Sequence, residues 1–393
     1  MSTEQPDLPP SVYQFEIYGK GLGGEKPLLP TTYEGMRARA EQELSPAEYG
    51  YVAGGAGDER TMDANREAFD RVRLVPRMLG EVGTRDLSTI VLGTKLNAPI
   101  LLGPVGVLSI VHPDGEGAVA RAANATGVTH VLSNAASSTI EEIAALTPDA
   151  PRWFQLYPPN DPEVRRSLVA RAEAAGNEAI VVTLDTLTMP WRPRDLQNAY
   201  LPFLLGEGIA NYTSDPAFRA KLERTPEEDP QAAIGMWAMT FPNPEMSWDD
   251  LAALRSETSL PLLVKGIIHP DDARRAVELG IDGIVVSNHG GRQVDGSVGA
   301  LDQLPAVVAA VPETVPVLVD SGVRTGSDVL KALALGARAV LVARPWVWGL
   351  ALEGREGVEQ VVRSLLADLD LSLAMCGLSS VADVGPDAIV ARP

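Results

Sequence analysis

The sequence predicts an α/β protein folded as a (β/α)8 TIM barrel, with an N-terminal helical extension and a long lid insertion after strand 4. Three observations predict it: eight short apolar runs, alanine-rich segments between them closed by glycine, and polar residues gathered where the runs end. The runs are Pro99–Leu102, His130–Leu132, Trp153–Leu156, Ala179–Leu184, Leu262–Val264, Gly283–Val286, Val315–Val319 and Ala339–Val342. They are rich in Val, Ile and Leu and do not alternate with polar residues, as expected of strands buried on both faces of a parallel sheet. The segments ARAANATG (120–127), ARAEAAG (170–176), ARRAVELG (273–280) and LKALALG (330–336) read as amphipathic helices ended by a glycine C-cap. Eight such units in succession fit a closed barrel; an open doubly wound sheet is the other arrangement they allow.

Two regions break this rhythm. Residues 1–98 precede the first strand, carry helical patterns at Tyr33–Leu44 and Ala47–Ala53, and read as an extension packing on the barrel of residues 99–393. Residues 187–258 separate strands four and five by more than one helix requires, with several prolines, Trp191, Trp237 and the charged run KLERTPEEDP. Long insertions after barrel strands are commonly active-site lids, and the aromatics favour an ordered one.

The 393 residues are 45% hydrophobic and 22% charged, ample for a large core in a soluble protein. The 33 basic and 52 acidic residues leave a net charge of −19, which repels phosphate backbones and anionic membranes. Nucleic acid and membrane surface are therefore not expected partners, and an anionic substrate needs a local concentration of arginine. Cys376, the one cysteine, lies in the apolar run LSLAMCGL and reads as a small buried hydrophobe. The start, MSTEQPDLPPS, has no signal-peptide pattern and no apolar run is long enough for a bilayer, so a cytoplasmic location is expected. His112, His130, His269 and His289 are too scattered for zinc spacing, and no metal is expected.

Function in such barrels collects at the C-terminal ends of the strands. The runs end in Pro104-Val105-Gly106, Ser133-Asn134, Gln155 and Tyr157, Thr183 and Asp185, Lys265, Ser287 through Arg292, Asp320 through Arg324, and Arg344. After strands seven and eight, DSGVRTG (320–326) and ARP (343–345) combine glycine, arginine and a following helix, the composition of a phosphate site. Gln155, Thr183 and Lys265 supply an amide, a hydroxyl and a cation, which suit the pyrimidine edge of a flavin and its reduced anion. His289 follows a strand and precedes two glycines; as a general base it could be held by Asp185, while Arg192 and Arg292 could grip a carboxylate. A lone histidine is more often structural, so the weight rests on the whole set. Gly19–Gly24 and Gly54–Gly57 look like dinucleotide loops, but neither follows a strand in a βαβ unit, and both read as turns.

The motifs SNHGGRQ (287–293), LVKG (263–266), FQLY (154–157), TLDT (183–186) and DSGVRTGSDVLKALALGA (320–337) are specific together. Through them the chain resembles the FMN-dependent L-2-hydroxy acid oxidases and dehydrogenases over residues 30–390. It is most similar to the lactate 2-monooxygenase branch, through EIYGKGLGG (16–24), YVAGGAGDE (51–59), WRPRDL (191–196) and NYTSDPAF (211–218).

The resemblance implies FMN in the barrel, with His289 as base, Asp185 behind it, Tyr157 near the substrate hydroxyl, and Tyr51, Arg192 and Arg292 on the carboxylate. It implies Pro104, Val105 and Gly106 beside the flavin N5, Ser133, Gln155, Thr183 and Lys265 on the ring, and Ser287 by the ring or ribityl chain. Asp320, Ser321, Gly322, Arg324, Ala343 and Arg344 fall at the ribityl-phosphate end. Ala343 stands where the family pattern has glycine, and Asn134-Ala135-Ala136 replaces bulkier residues, which enlarges the pocket.

The implied reaction takes a small L-2-hydroxy acid and O2, with L-lactate going to acetate, CO2 and water; the alternative is an oxidase releasing keto acid and H2O2. A dehydrogenase is disfavoured, because no haem module precedes the barrel in this sequence and the insertion lacks a membrane-binding segment. A homo-oligomer, tetramer or octamer, is also implied. A phosphate-binding barrel working through cysteine is opposed by the position of Cys376, away from any strand end.

Overall fold

A computed structural model describes residues 8–391, so the first seven residues of the polar, proline-rich start lie outside the described residues. The eight predicted runs form eight strands: β1 (Ile100–Leu102), β2 (Thr129–Ser133), β3 (Arg152–Leu156), β4 (Ile180–Thr183), β5 (Leu262–Ile267), β6 (Gly283–Val286), β7 (Val317–Val319) and β8 (Ala339–Val342). Each pairs in parallel with the next, and β8 returns to β1 with Leu341 opposite Leu101, which closes the barrel and removes the open-sheet alternative.

The uniform apolarity of the strands has two destinations. Leu101, Val131, Trp153, Val181, Leu263, Val285, Leu318 and Leu341 share one cluster, the barrel interior. Their neighbours, such as Leu102, Leu132, Phe154, Val182, Val264 and Val286, belong to the larger cluster that includes the surrounding helices. Successive side chains of a strand point to opposite faces, so both faces must be apolar when both are covered. The interior is stoppered by a hairpin of Thr89–Val91 and Thr94–Leu96, whose Val91 and Leu96 join the inner cluster. The indole N–H of Trp153 donates to Thr94 Oγ1 at 3.1 Å, tying barrel to stopper.

Four helices precede the barrel: Val12–Leu22, Tyr33–Glu43, Pro46–Ala53 and Arg60–Arg71. The third starts on a reciprocal cap between Ser45 and Glu48. Gly19 and Gly21 lie inside the first helix, so the turn reading of Gly19–Gly24 is corrected: the chain turns only at Gly23 and Gly24. Glycine weakens a helix by only about 1 kcal/mol relative to alanine, too little to end one by itself. The first helix is preceded by Ser11, whose amide donates to the buried Asp370 (3.1 Å) on the last helix, Arg344–Met375.

Between β4 and β5 the insertion forms short helices at Pro193–Gln197, Pro202–Leu205, Ala210–Thr213, Pro216–Arg219, Pro230–Thr240 and Trp248–Arg255. Pro193, Pro202, Pro216 and Pro230 occupy helix starts, where a missing N–H costs nothing. Arg171, on the helix Pro162–Ala174, donates to Asn211 O (2.8 Å) and to the buried Asp215 carboxylate (3.1 Å), fastening the insertion to the barrel's outer layer.

Candidate active site

A cavity opens at the C-terminal ends of the strands, with walls from the β1, β6, β7 and β8 loops, the N-terminal helices and the insertion. Of the residues singled out in the sequence, it is lined by Tyr51, Pro104, Val105, Gly106, Tyr157, Arg192, Lys265, His289 and Arg292, and by Asp320, Ser321, Gly322, Arg324, Ala343 and Arg344. Ser133, Gln155, Thr183, Asp185 and Ser287 lie behind that lining.

His289 is the centre of the polar arrangement. It sits in the left-handed region (φ 58°), held there by its amide donating to Ser287 Oγ (3.1 Å) and by Gly290 N donating to Ser321 Oγ (2.9 Å). This backbone turns the ring toward β4, where Nδ1 donates to Asp185 Oδ1 at 2.7 Å. That bond fixes the tautomer and leaves Nε2 as an acceptor toward Tyr157 OH, 3.3 Å away.

Thr186 donates to Asp185 Oδ1 (3.0 Å), and Gln293 Nε2 donates both to Thr186 Oγ1 (2.8 Å) and to the Asp185 carbonyl (2.7 Å). Gln293 in turn accepts from Arg192 Nη2 at 2.9 Å. Base, supporting acid and carboxylate-binding arginine are thus one connected network. Thr186 and Gln293 were not singled out in the sequence, although each lies in a quoted motif. Asn65 gave no local signal at all, yet it exchanges two hydrogen bonds of 2.8 Å with Asn288 and braces the β6 loop.

The electrostatics follow from burial. Burial works against the Asp185 carboxylate, but the His289 and Lys265 charges outweigh it and hold the group at about 2. Burial lowers His289 against the opposing pull of Asp185. Carboxylate ionised and imidazole neutral is the state a general base needs. The acid limb of kcat/KM should therefore have its midpoint below the ordinary histidine value of 6.5. A pH profile of flavin reduction checks this, and loss of activity centred above 6.5 would contradict it. Tyr157 is pushed up to about 12, chiefly by burial, and stays a donor.

Burial, then the nearby Arg192 and Arg344 charges, pulls Arg292 well below the guanidinium range. Such a concentration of cations is relieved by an anion. Arg292 Nη1 donates to the carbonyls of Tyr51 and Gly54 (2.7 Å each), and its guanidinium carbon lies 5.2 Å from the centre of the Tyr51 ring.

Along the barrel rim, Ser133 Oγ donates to Gln155 Oε1 (2.7 Å) and Gln155 Nε2 to Thr183 Oγ1 (2.9 Å). Thr183 is in register with Lys265, whose Nζ lies 3.4 Å from Asp320 Oδ2. Burial works against this cation, but Asp320 and Asp185 outweigh it and raise its pKa. At the other end Arg324 rests 3.9 Å from the centre of the Tyr33 ring and pairs with Glu34 (2.7 Å). Arg344 donates to Val52 O (3.0 Å), Gly54 O (3.0 Å) and Gly290 O (2.9 Å).

The glycine stretch Gly54–Gly57 is a loop, as read from the sequence, but a closely packed one. Ala56 N donates to Gly291 O (2.9 Å), and a side chain at Gly55 would meet Met62 Sδ at 2.6 Å.

This set fits FMN. Lys265 lines the cavity with the Gln155 amide and Thr183 hydroxyl behind it, and Arg324 and Arg344, each beside the start of a helix, line it as well. That matches a polar ring edge and a phosphate. Among the described residues no group of three or more His, Cys, Asp or Glu could hold a metal ion, and no helix is long and apolar enough to cross a membrane.

Comparison with known proteins agrees with this donor set. A family model described as FMN-dependent dehydrogenase matches residues 40–391. An FMN-dependent alpha-hydroxy acid dehydrogenase of Penicillium citrinum is 44% identical, covering 96% of this chain and 95% of its own. An L-lactate oxidase of Lysinibacillus sphaericus is 40% identical over 92% of this chain and 93% of its own. Among solved structures, a mandelate oxidase superposes with a TM-score of 0.81 and 38% identity, covering 92% of this chain and 98% of that one.

Proposed function

This chain belongs to the FMN-dependent dehydrogenase family, and on that footing we propose that it is a lactate 2-monooxygenase, oxidising L-lactate with O2 to acetate, CO2 and water. The enzyme class, an FMN-dependent 2-hydroxy acid oxidoreductase, rests on the family itself. The observation that carries the reading is the His289–Tyr157 pair lining the cavity beside Arg192 and Arg292, with Asp185 behind His289.

In this reading Arg192 and Arg292 take the substrate carboxylate, with Tyr51 alongside, and so orient the C2 hydroxyl toward the base. Tyr157 donates to the substrate hydroxyl, and His289 Nε2 accepts the proton the substrate loses. Asp185 steadies the imidazolium so formed. When bound, FMN supplies the acceptor for the electron pair and second hydrogen. Lys265 places a buried positive charge at the ring edge, with Ser133, Gln155 and Thr183 behind it. Ser287 and Ser321 keep the His289 turn in place, and Gly322, Arg324, Ala343 and Arg344 hold the phosphate end.

A small substrate is supported by the aromatic wall. Phe203 and Phe241 line the cavity, with the Tyr157 and Phe241 rings 5.3 Å apart and Phe203 stacked on Trp237 at 4.7 Å. Retention of the keto acid for reaction with oxygen is supported by the ordered insertion contributing this wall. Release of pyruvate and H2O2 is the second reading, favoured by the relatives named as L-lactate oxidases.

Aerobic product analysis with L-lactate separates the two: acetate and CO2 in step with the O2 consumed are expected. Stoichiometric pyruvate and H2O2 would replace monooxygenase by oxidase. Failure of L-lactate to bleach the flavin anaerobically would remove L-lactate as substrate. The proposal also places the enzyme in the cytoplasm, since a chain with one cysteine needs no oxidising compartment. A homo-oligomer, a tetramer or octamer, is part of the same proposal, and the exposed Trp191, Leu205 and Met239 of the insertion support self-association without fixing the number of copies.

A further inference from the structure

Behind the cavity wall lies a hydrogen-bond chain that the site chemistry does not use. Gly208 N donates to Ser137 Oγ (3.2 Å), and the Ser137 and Ser109 hydroxyls are 2.6 Å apart. Ser109 then donates to the Glu207 carboxylate. A carboxylate can only accept, so it orients the whole chain: amide to Ser137, Ser137 to Ser109, Ser109 to Glu207. The chain begins and ends on adjacent residues of the insertion and passes through the loops after β1 and β2.

Those two loops are also clamped from behind. Glu116, fully buried, accepts at Oε1 from Leu108 N (3.3 Å) and Ser137 N (3.1 Å). Where the insertion meets them the packing is tight: a Cβ on Gly208 would lie 2.7 Å from Val107 and 2.9 Å from Ala135 O. Glu207 is moreover rigidly joined to Phe203. Glu207 N donates to Pro202 O (3.2 Å) and Gly206 N to Phe203 O (3.1 Å), closing one turn. Phe203 lines the cavity together with Val107 and Ala135, and its ring meets them around Gly208.

We infer that Glu207 and Ser109 are positioning residues: they latch the insertion's aromatic wall onto the β1 and β2 loops and set how long the 2-keto acid product stays in the site. The inference rests on the 2-hydroxy acid reading of that site. Neither residue lines the cavity, so the latch acts on residence rather than on proton transfer. If the insertion opens while the rest of the site is intact, breaking a charge-assisted hydrogen bond should speed opening about tenfold, the factor that corresponds to about 1.4 kcal/mol.

The test compares the flavin-loaded parent with Glu207→Gln, Ser109→Ala and the double variant by stopped flow. One measurement is the rate constant of anaerobic reduction by L-lactate. The other is the rate at which labelled pyruvate leaves the reduced enzyme into an unlabelled chase. Reduction within about twofold of the parent and release about tenfold faster are expected. The double variant should match the single ones, since both cut the same chain. Unchanged release, or reduction slowed as much as release is altered, overturns the latch. If L-lactate reduces none of the proteins, the substrate reading has failed instead. Release of oxalate, a small dicarboxylate suited to the arginine pair, then tests the latch by the same criterion.

Discussion

His289→Ala is expected to keep FMN and to lose about 10²–10⁴-fold in the rate of flavin reduction by L-lactate, the usual contribution of a positioned general base. The size follows from the isolation of the site. Nε2 faces the cavity while Nδ1 is committed to Asp185, and Tyr157, whose hydroxyl faces Nε2, is pushed up to about 12 and stays protonated. Asp185 lies behind the lining and cannot take over.

Removal of the ring also leaves the Asp185 carboxylate buried with less compensation, which threatens folding as well as chemistry. A second substitution separates the two effects. His289 occupies left-handed backbone (φ 58°), a conformation asparagine adopts more readily than alanine, so His289→Asn should preserve the loop and the yellow colour. Rapid-mixing reduction of both variants is the measurement. Near-parental reduction in the asparagine variant would place the base elsewhere.

Arg292→Lys should raise KM for L-lactate by about tenfold to a hundredfold and lower kcat, with flavin content unchanged. A hydrogen bond to a charged group contributes about 1.5–3 kcal/mol, which gives that range. The guanidinium performs two tasks at once: Nη1 pins the Tyr51 and Gly54 carbonyls, and the group remains in the cavity lining. A lysine ammonium is a point charge that cannot span the loop and present a planar fork to a carboxylate together. Steady-state kinetics against L-lactate, with flavin absorbance as the control, decide the matter. An unchanged KM would leave Arg192 as the sole carboxylate ligand.

How much of the site could be read in advance depended on how local its signal is. Asp320 through Arg324 and SNHGGRQ are contiguous, so their chemistry shows in a few residues of text. Asp185 and Arg192 could be matched to them only through the barrel rule that functional groups end the strands. Thr186 and Gln293 carry no distinctive local signal, because a threonine or a glutamine in a loop has many uses. Their role arises from the meeting of the β4 and β6 loops across the barrel mouth. Asn65 and the Ser109–Glu207 latch carry no local signature, since each works only against a partner distant in the chain. Gly54–Gly57 reads as a plain turn in the sequence because a close approach is invisible until Gly291 and Met62 lie opposite it.

The amino-acid sequence alone determined the eight strands, their helical spacers and the chemistry of their ends. Burial on both faces and a glycine stop after four of the helices are local demands written residue by residue. SNHGGRQ, the base and its arginine, belongs to that part. Tertiary structure decided which apolar residues fill the barrel and which face the helices. It also decided that the hairpin at Thr89–Leu96 stoppers one end, and that the glycines at 19 and 21 stay helical. It joined His289 to Asp185, Gln293 and Arg192 in a single network. The physical reason is the same in each case. A strand or cap is specified by neighbours in the chain, whereas a hydrogen-bonded site is specified by closure, which brings together groups that local sequence leaves far apart.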